Sequence, residues 1–217
     1  ICSPDKGGVY IDCTFGGGGY SKKLLKFSKT KVIALDRDAF IIKIGRDLEK
    51  KYPNRFFFHQ KKFSEINTVV GKQSVDAVVF DLGLSSIQLS NLERGFSFNS
   101  KEKLDMSMGI STTSAEEVVN NFSEQKLKSI IKILGEEKDA SRIARNIIKT
   151  RLVKKITKVD QLVAIIKRSK KKNYTNRINP STKTFQALRI FVNKEITELV
   201  EGIINATKVL KPGGRIL

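Results

Sequence analysis

The chain has 217 residues, enough for one α/β domain with an inserted or appended piece, and its 40% hydrophobic content supports a real core and excludes global disorder. Lys+Arg 41 against Asp+Glu 22 gives a formal charge of +19, a field that attracts polyanions, so nucleic acid is the natural partner. Two cysteines, Cys2 and Cys13, and one histidine, His59, support no disulfide framework and no metal site, and exclude a Ser-His-Asp hydrolase unless His59 serves it.

No apolar run is long enough to span a bilayer and the N-terminus carries no signal pattern, so the expected location is the cytoplasm. Residues 1–8 read as a loop running straight into a strand, and the chain stops at Gly213-Gly214-Arg215-Ile216-Leu217, just after a turn launches another. Both ends are therefore expected to be cuts within a longer protein.

The first strand is expected at Val9–Ile11. Four glycines, Gly16 to Gly19, follow where the backbone must turn and a ligand can approach, and Tyr20 to Phe27 has helical spacing. A second strand, Val32–Leu35, ends in Asp36, 20 residues after Gly16, the distance at which a doubly wound fold sets a carboxylate on ribose hydroxyls. A dinucleotide fingerprint would want a third Gly where Ser21 stands. Asp12, beside the turn, repels a pyrophosphate but suits the sulfonium and ammonium of S-adenosylmethionine. A tight βα turn without ligand and an NAD-linked oxidoreductase remain alternatives at this point.

Ala39–Lys51 is expected to be a helix, with Phe40, Ile44 and Leu48 on one side, and Arg55–His59 a third strand. Phe63 follows in a loop that, in a doubly wound sheet, passes beside adenine; core packing is its commoner use. Ser74–Leu84 is the clearest strand and carries Asp81, so Asp12, Asp36 and Asp81 would end three neighbouring strands around one crevice. Residues 83–108 lack periodicity and suggest a long active-site loop.

From a capping box at Ser114–Glu117 onward, helices are expected near Glu124–Leu134, Ala140–Thr150 and Val159–Arg168, with a return helix Thr184–Leu210. This divides the chain into core (1–108), helical insertion (109–184) and core again (185–217). Between Arg142 and Lys183 there are 14 Lys or Arg and one acid, Asp160, so +13 of the +19 lies in 42 residues. Lys167, Arg168, Lys170, Lys171, Lys172 and Arg177, with Tyr174, offer RNA phosphate contacts and a stacking ring; a solvated lysine-rich helix end is the competing reading.

Eight collinear segments, YIDCTFGGGGYS, ALDRD, VVFDLGLSSIQL, ERGFSF, LDMSM, GEEKDASRIARNI, STKTFQALRIFVNKEI and VLKPGGRI, resemble the bacterial 16S ribosomal RNA cytosine-N4 methyltransferase family, RsmH or MraW. The resemblance implies an α/β class I methyltransferase, a Rossmann-like, doubly wound and mostly parallel sheet with an inserted all-helical domain. It also implies S-adenosylmethionine as donor, and 16S ribosomal RNA or the small ribosomal subunit as substrate, with no metal and no membrane. Donor contacts then fall on Gly18, Gly19, Tyr20, Asp36, Phe63, Asp81 and Gln88. Asp81, Ser85 and Ser86 are candidates to accept hydrogen bonds from the cytosine amine. Three positions depart from the family pattern: Tyr20 for His, Gly17 for Arg and Ile87 for Pro. A non-catalytic RNA-binding module on the same fold is the alternative from another functional class.

Overall fold

The structure is a computed structural model and describes residues 2–109, 113–170 and 179–217. The chain forms two compact units, Ile1–Ile87 with Ile196–Leu217, and Gln88–Glu195.

The first unit is built on a five-stranded parallel sheet, β1 (Gly8–Asp12), β2 (Thr30–Asp36), β3 (Phe56–Gln60), β4 (Val75–Val79) and β5 (Leu210–Ile216), in the order β3-β2-β1-β4-β5. Side chains alternate between the two faces of a strand, and here both faces are apolar. Tyr10, Val32, Ala34, Phe56, Phe58 and Ala77 meet Leu24, Leu25, Ile41 and Leu48 from α1 (Gly19–Leu24) and the segment leading into and through α2 (Ile42–Lys51). Ile11, Leu35, Val75 and Val78 meet Ile66, Ala206 and Val209, contributed by the 3-10 turn Phe63–Thr68 and by α9 (Glu195–Val209). A sheet covered on both sides explains why these strands read as continuous apolar runs. Phe40, expected on the buried side of its helix, is 61% exposed, because Ala39–Ile41 forms a 3-10 turn ahead of α2 that rotates Ile41 inward instead.

The second unit is helical: α3 (Ser86–Ser90), which straddles the boundary, then α4 (Ala115–Asn121), α5 (Glu124–Gly135), α6 (Ala140–Val153), α7 (Val159–Ser169) and α8 (Thr182–Val192). The Ser114 box forms as expected: its hydroxyl accepts from Glu117 N (3.1 Å) and Glu117 Oε2 accepts from Ser114 N (2.9 Å). Apolar residues at helical spacing, Leu162, Ile165 and Ile166 on α7 and Ile143, Ala144 and Ile147 on α6, fill the unit's interior.

Two boundaries differ from the compositional division. The expected return helix Thr184–Leu210 is two helices, broken at Asn193 and Lys194. Buried Asn193 accepts from Met108 N (2.7 Å) and donates to Met106 O (2.8 Å), and Lys194 is left-handed at φ 52. Residues 88–108 are not a free loop: Leu104, Met106 and Met108 are buried, and Leu104 N donates to Thr157 O (2.9 Å). These side chain and ladder contacts group the segment with the helices. Among the described residues, no helix is long and apolar enough to cross a membrane.

Gly45 lets α2 lie directly on β3, since a Cβ there would stand 2.3 Å from the Phe58 ring, whose own centroid is 5.3 Å from that of Phe15. Gly to Ala inside a helix ordinarily adds about 1 kcal/mol of stability. Gly45→Ala is expected to do the opposite, costing about 1–3 kcal/mol through overpacking, and a thermal melt no lower than wild type would refute this account.

Candidate active site

The strand order reverses at β1, whose neighbours β2 and β4 lead in opposite directions, and in open α/β sheets ligands lie outside the strand ends at such a point. Asp12 pairs in register with Ala34 of β2 and Val79 of β4. Asp36 and Asp81 each follow those partners by two residues, so they stand about 7 Å further along the strand direction than Asp12. Depth separates the three acids.

Asp12 is fully buried. Its Oδ2 accepts from Ser21 Oγ (2.7 Å) and Ser21 N (3.2 Å), and its Oδ1 from Thr14 N (3.3 Å). Burial pushes its carboxyl above the ordinary range, while the Ser21 and Thr14 bonds hold it down. The carboxylate expected to face a cationic ligand is therefore spent on the turn that follows β1. The same contacts explain Ser21, at the place where a dinucleotide fingerprint would have glycine: a glycine would leave Oδ2 without its shortest bond.

That turn is made of Gly16 and Gly18 in the left-handed region (φ 50 and 76), with Gly18 N donating to Phe15 O (2.7 Å). A Cβ on Gly18 would stand 2.8 Å from the Phe15 ring, whereas one on Gly19 would meet nothing within 4 Å, so Gly19 faces open space. Lys22 Nζ donates to Gly17 O (2.8 Å) and steadies the turn from α1. Tyr20 is exposed, with Lys23 Nζ 5.9 Å from its ring centre. Ile87 approaches Gly17, 3.7 Å from where a Cβ would stand, and packs on the same core as Phe15.

Asp36 is the half-buried partner of the turn. Its Oδ2 accepts from Gly16 N (2.8 Å) and its Oδ1 from Asp38 N (2.9 Å), which leaves a lone pair on each oxygen for further donors. Burial raises its pKa to about 6, with the Asp38 and Gly16 amides opposing. Asp81 is exposed just past β4 and forms no ion pair among the described residues. Its amide donates to Thr14 Oγ1 (2.7 Å), so Thr14 ties the Asp12 network to the start of the next loop. Thr14 was not singled out by sequence, and Ser21 only as a departure from the dinucleotide fingerprint; a short polar side chain two residues after a strand-end Asp is an Asx-turn signal that could have found Thr14.

Ser85 lies against Gly16, its Cβ 3.3 Å from a Cβ built there, and Ser86 is exposed at the start of α3. Gln88 is buried on α3, on the far side of the division between the units. Phe63 packs edge-on to Phe80 (5.4 Å) and fills the space over Gly202 of α9, where a Cβ would come within 2.5 Å of its ring. The structure thus brings Gly18, Gly19, Tyr20, Asp36, Asp81, Ser85 and Ser86 to the turns at the strand ends, and gives Phe63 a packing role.

The predicted RNA contacts divide. Lys167 and Arg168 are exposed in the last turn of α7. Lys170 is not available: its ammonium is buried in an ion pair with Glu137 and lies 4.0 Å from Asp139. Buried charge demands such a partner, and the sequence could not show that two acids of the α5–α6 connection turn toward it. Lys171, Lys172, Tyr174 and Arg177 lie outside the described residues.

A parallel sheet in this order, with a glycine turn after its first strand and a carboxylate ending its second, is a doubly wound, Rossmann-like fold of the kind class I methyltransferases share. The chain belongs to the MraW methylase family, whose model matches residues 2–217. A relative from Ehrlichia canis (strain Jake), named ribosomal RNA small subunit methyltransferase H, is 42% identical over 221 residues, covering 100% of this chain and 74% of the relative. One of the same name from Brucella ovis is 42% identical over 219 residues, but the chain spans only 63% of its length. A solved Pyrococcus horikoshii structure, provisionally titled a transferase, shares 16% identity over 44% of this chain and 35% of its own, with a TM-score of 0.32, too partial to bear on the fold.

Asp12→Ala would strip Ser21 and Thr14 of their buried acceptor. A buried donor left unsatisfied costs about 1–3 kcal/mol, so the substitution should cost about 2–4 kcal/mol in all, read as a fall in melting temperature. A variant that melts with wild type would show that the network is not the brace described.

Proposed function

We propose that the protein transfers a methyl group from S-adenosylmethionine to the N4 amine of a cytosine in 16S ribosomal RNA, in the cytoplasm, acting on that RNA or on the small subunit that contains it. The observation that carries the donor half is the open side of Asp36, held by the glycine turn at the reversal of strand order. Family membership carries the acceptor half. S-adenosylmethionine supplies a methyl group on a positively charged sulfur.

The residues present fit that donor. Asp36 has two unused lone pairs for ribose hydroxyls, Gly19 leaves room for close approach, and the exposed Asp81 offers a negative charge with no competing cation among the described residues. The work on the acceptor follows from chemistry. The cytosine amine is a poor nucleophile because its lone pair is delocalised into the ring. Acceptors for its N–H bonds turn that lone pair outward, and positioning aligns it with the methyl group. Asp81 and Ser85, after β4, and Ser86, at the start of α3, are the side chains assigned to this.

Methylation is tested by mass spectrometry of ribosomal RNA after incubation with the protein and isotopically labelled donor; an unlabelled N4 position would sink the proposal. Calorimetry tests donor binding by itself, since a binding-only RNA module would give no heat with S-adenosylmethionine.

Asp36 makes that titration informative. Hydroxyl donors favour the ionised carboxylate, so donor affinity should be flat well above pH 6 and fall below it, about tenfold by about pH 5. Stability without donor should run the other way. A raised carboxyl pKa stabilises the folded state when protonated, and this contribution is lost as pH rises through about 6. Asp36→Asn should weaken donor binding and flatten both profiles; wild-type affinity with an unchanged pH dependence would remove Asp36 from the donor site.

A further inference from the structure

A cavity of about 540 Å³ opens on the helical unit where the last turns of α6 and α7 meet, lined by Asn146, Lys149, Thr150, Val153, Lys154 and Arg168. Its floor is fixed by hydrogen bonds. Asn146 Nδ2 donates to Ser169 Oγ (2.8 Å), the buried Ser169 hydroxyl donates to Ile165 O (2.7 Å), and Thr150 Oγ1 donates to Asn146 O (2.8 Å). The walls are different. Lys149, Lys154 and Arg168 are exposed, and none of the three forms an ion pair among the described residues. Other cations nearby are paired: Arg142 and Arg145 of α6 with Asp139 and Glu124, and Lys155, just past the end of α6, with Glu116.

Cations at helix C-termini have an ordinary explanation, since they offset the macrodipole. Each end is equivalent to roughly −0.5 charge, so the ends of α6 and α7 together offset about one of the three cations, and roughly two positive charges remain at one opening. Beside them stands an apolar edge that solvation does not explain: Val153, which lines the opening, is 90% exposed, and Leu152, its neighbour in the chain, 81%. A phosphate with its attached nucleoside matches both, an anion for the cations and the face of a base for the apolar edge.

We infer that this cavity seats a backbone phosphate of single-stranded RNA, gripped by Lys149, Lys154 and Arg168, with the adjoining nucleoside resting on Leu152 and Val153. The choice of RNA as the polyanion rests on the methyltransferase reading above. A base must be unpaired to offer its amine for methylation, so a single strand is the form such a seat would hold.

The test is fluorescence anisotropy of the full chain with a labelled single-stranded oligoribonucleotide over a salt series. One variant combines Lys149→Ala, Lys154→Ala and Arg168→Ala. A control removes the same charge from exposed lysines elsewhere on this unit, Lys128→Ala, Lys132→Ala and Lys138→Ala. Each phosphate contact to a single strand contributes about −0.7 to the log–log salt slope, so the cavity variant should bind at least about tenfold more weakly with a slope shallower by about 2. The control should keep the wild-type slope. Leu152→Ser with Val153→Ser should weaken binding without changing the slope. Melting temperature and S-adenosylmethionine binding, followed in every variant, should stay at wild type.

Equal losses in the cavity variant and the control, or no loss in the cavity variant, would overturn the inference and leave the methyltransferase reading standing. A chain that binds the donor but no RNA would overturn it as well. A chain whose RNA affinity depends on the cavity, yet which binds no S-adenosylmethionine, would support the seat and refute the enzyme reading.

Discussion

The buried carboxylate of Asp12 is the constraint from which the geometry of the strand ends follows. An acid with no solvent exposure survives only if protein donors replace water, and here those donors are Ser21 and Thr14, one at the far side of the glycine turn and one at its near side. Satisfying Asp12 therefore folds the turn back over the end of β1. The fold brings Gly16 N to Asp36 and Thr14 Oγ1 to the amide of Asp81, so the flanking strands are tied to the middle one. Phe15, in the same turn, packs on Phe56 and Phe58 and carries the arrangement into the core. One interaction fixes both where the two outer acids stand and what they stand on.

How far this was legible in the sequence depends on which property a residue's role draws upon. The strands were visible because a sheet covered on both faces needs uninterrupted apolar runs, and the turn because the positive φ angles at Gly16 and Gly18 favour glycine. The 20-residue interval from Gly16 to Asp36 has a direct physical counterpart in the 2.8 Å bond between them. The role of Asp12 was misread for an equally definite reason. Sequence shows that a strand ends in an acid, but depth is set by register between strands, and two residues separate a carboxylate buried under the turn from one at the open edge. Asn193 is a similar case, since an Asn inside a helical pattern reveals nothing of the amide and carbonyl that will meet it.

Charge counting erred in an instructive direction. The 42 residues from Arg142 to Lys183 hold 14 cations and one acid, yet Arg142, Arg145, Lys155 and Lys170 are paired with Asp139, Glu124, Glu116 and Glu137, all upstream of that window. Helix packing brings acids of α4, α5 and the connection to α6 beside cations of α6 and its neighbours, which a linear window cannot register. What structure adds is a division between cations that hold the unit together and cations that face outward. Only the second kind contributes a field that an approaching polyanion meets unscreened.

The same reasoning bears on the positions where this chain departs from the family pattern. With Tyr at position 20, and with the only histidine on β3, no imidazole stands at the glycine turn. Asp12 is consumed internally and Asp36 already carries two amide bonds, so Asp81 is the carboxylate at these strand ends that remains wholly open. Ile87, for its part, keeps an apolar contact on Gly17 and on the core beneath it. A rigid proline is thereby replaced by packing, which holds the start of α3 against the turn through side-chain contact instead of a fixed φ.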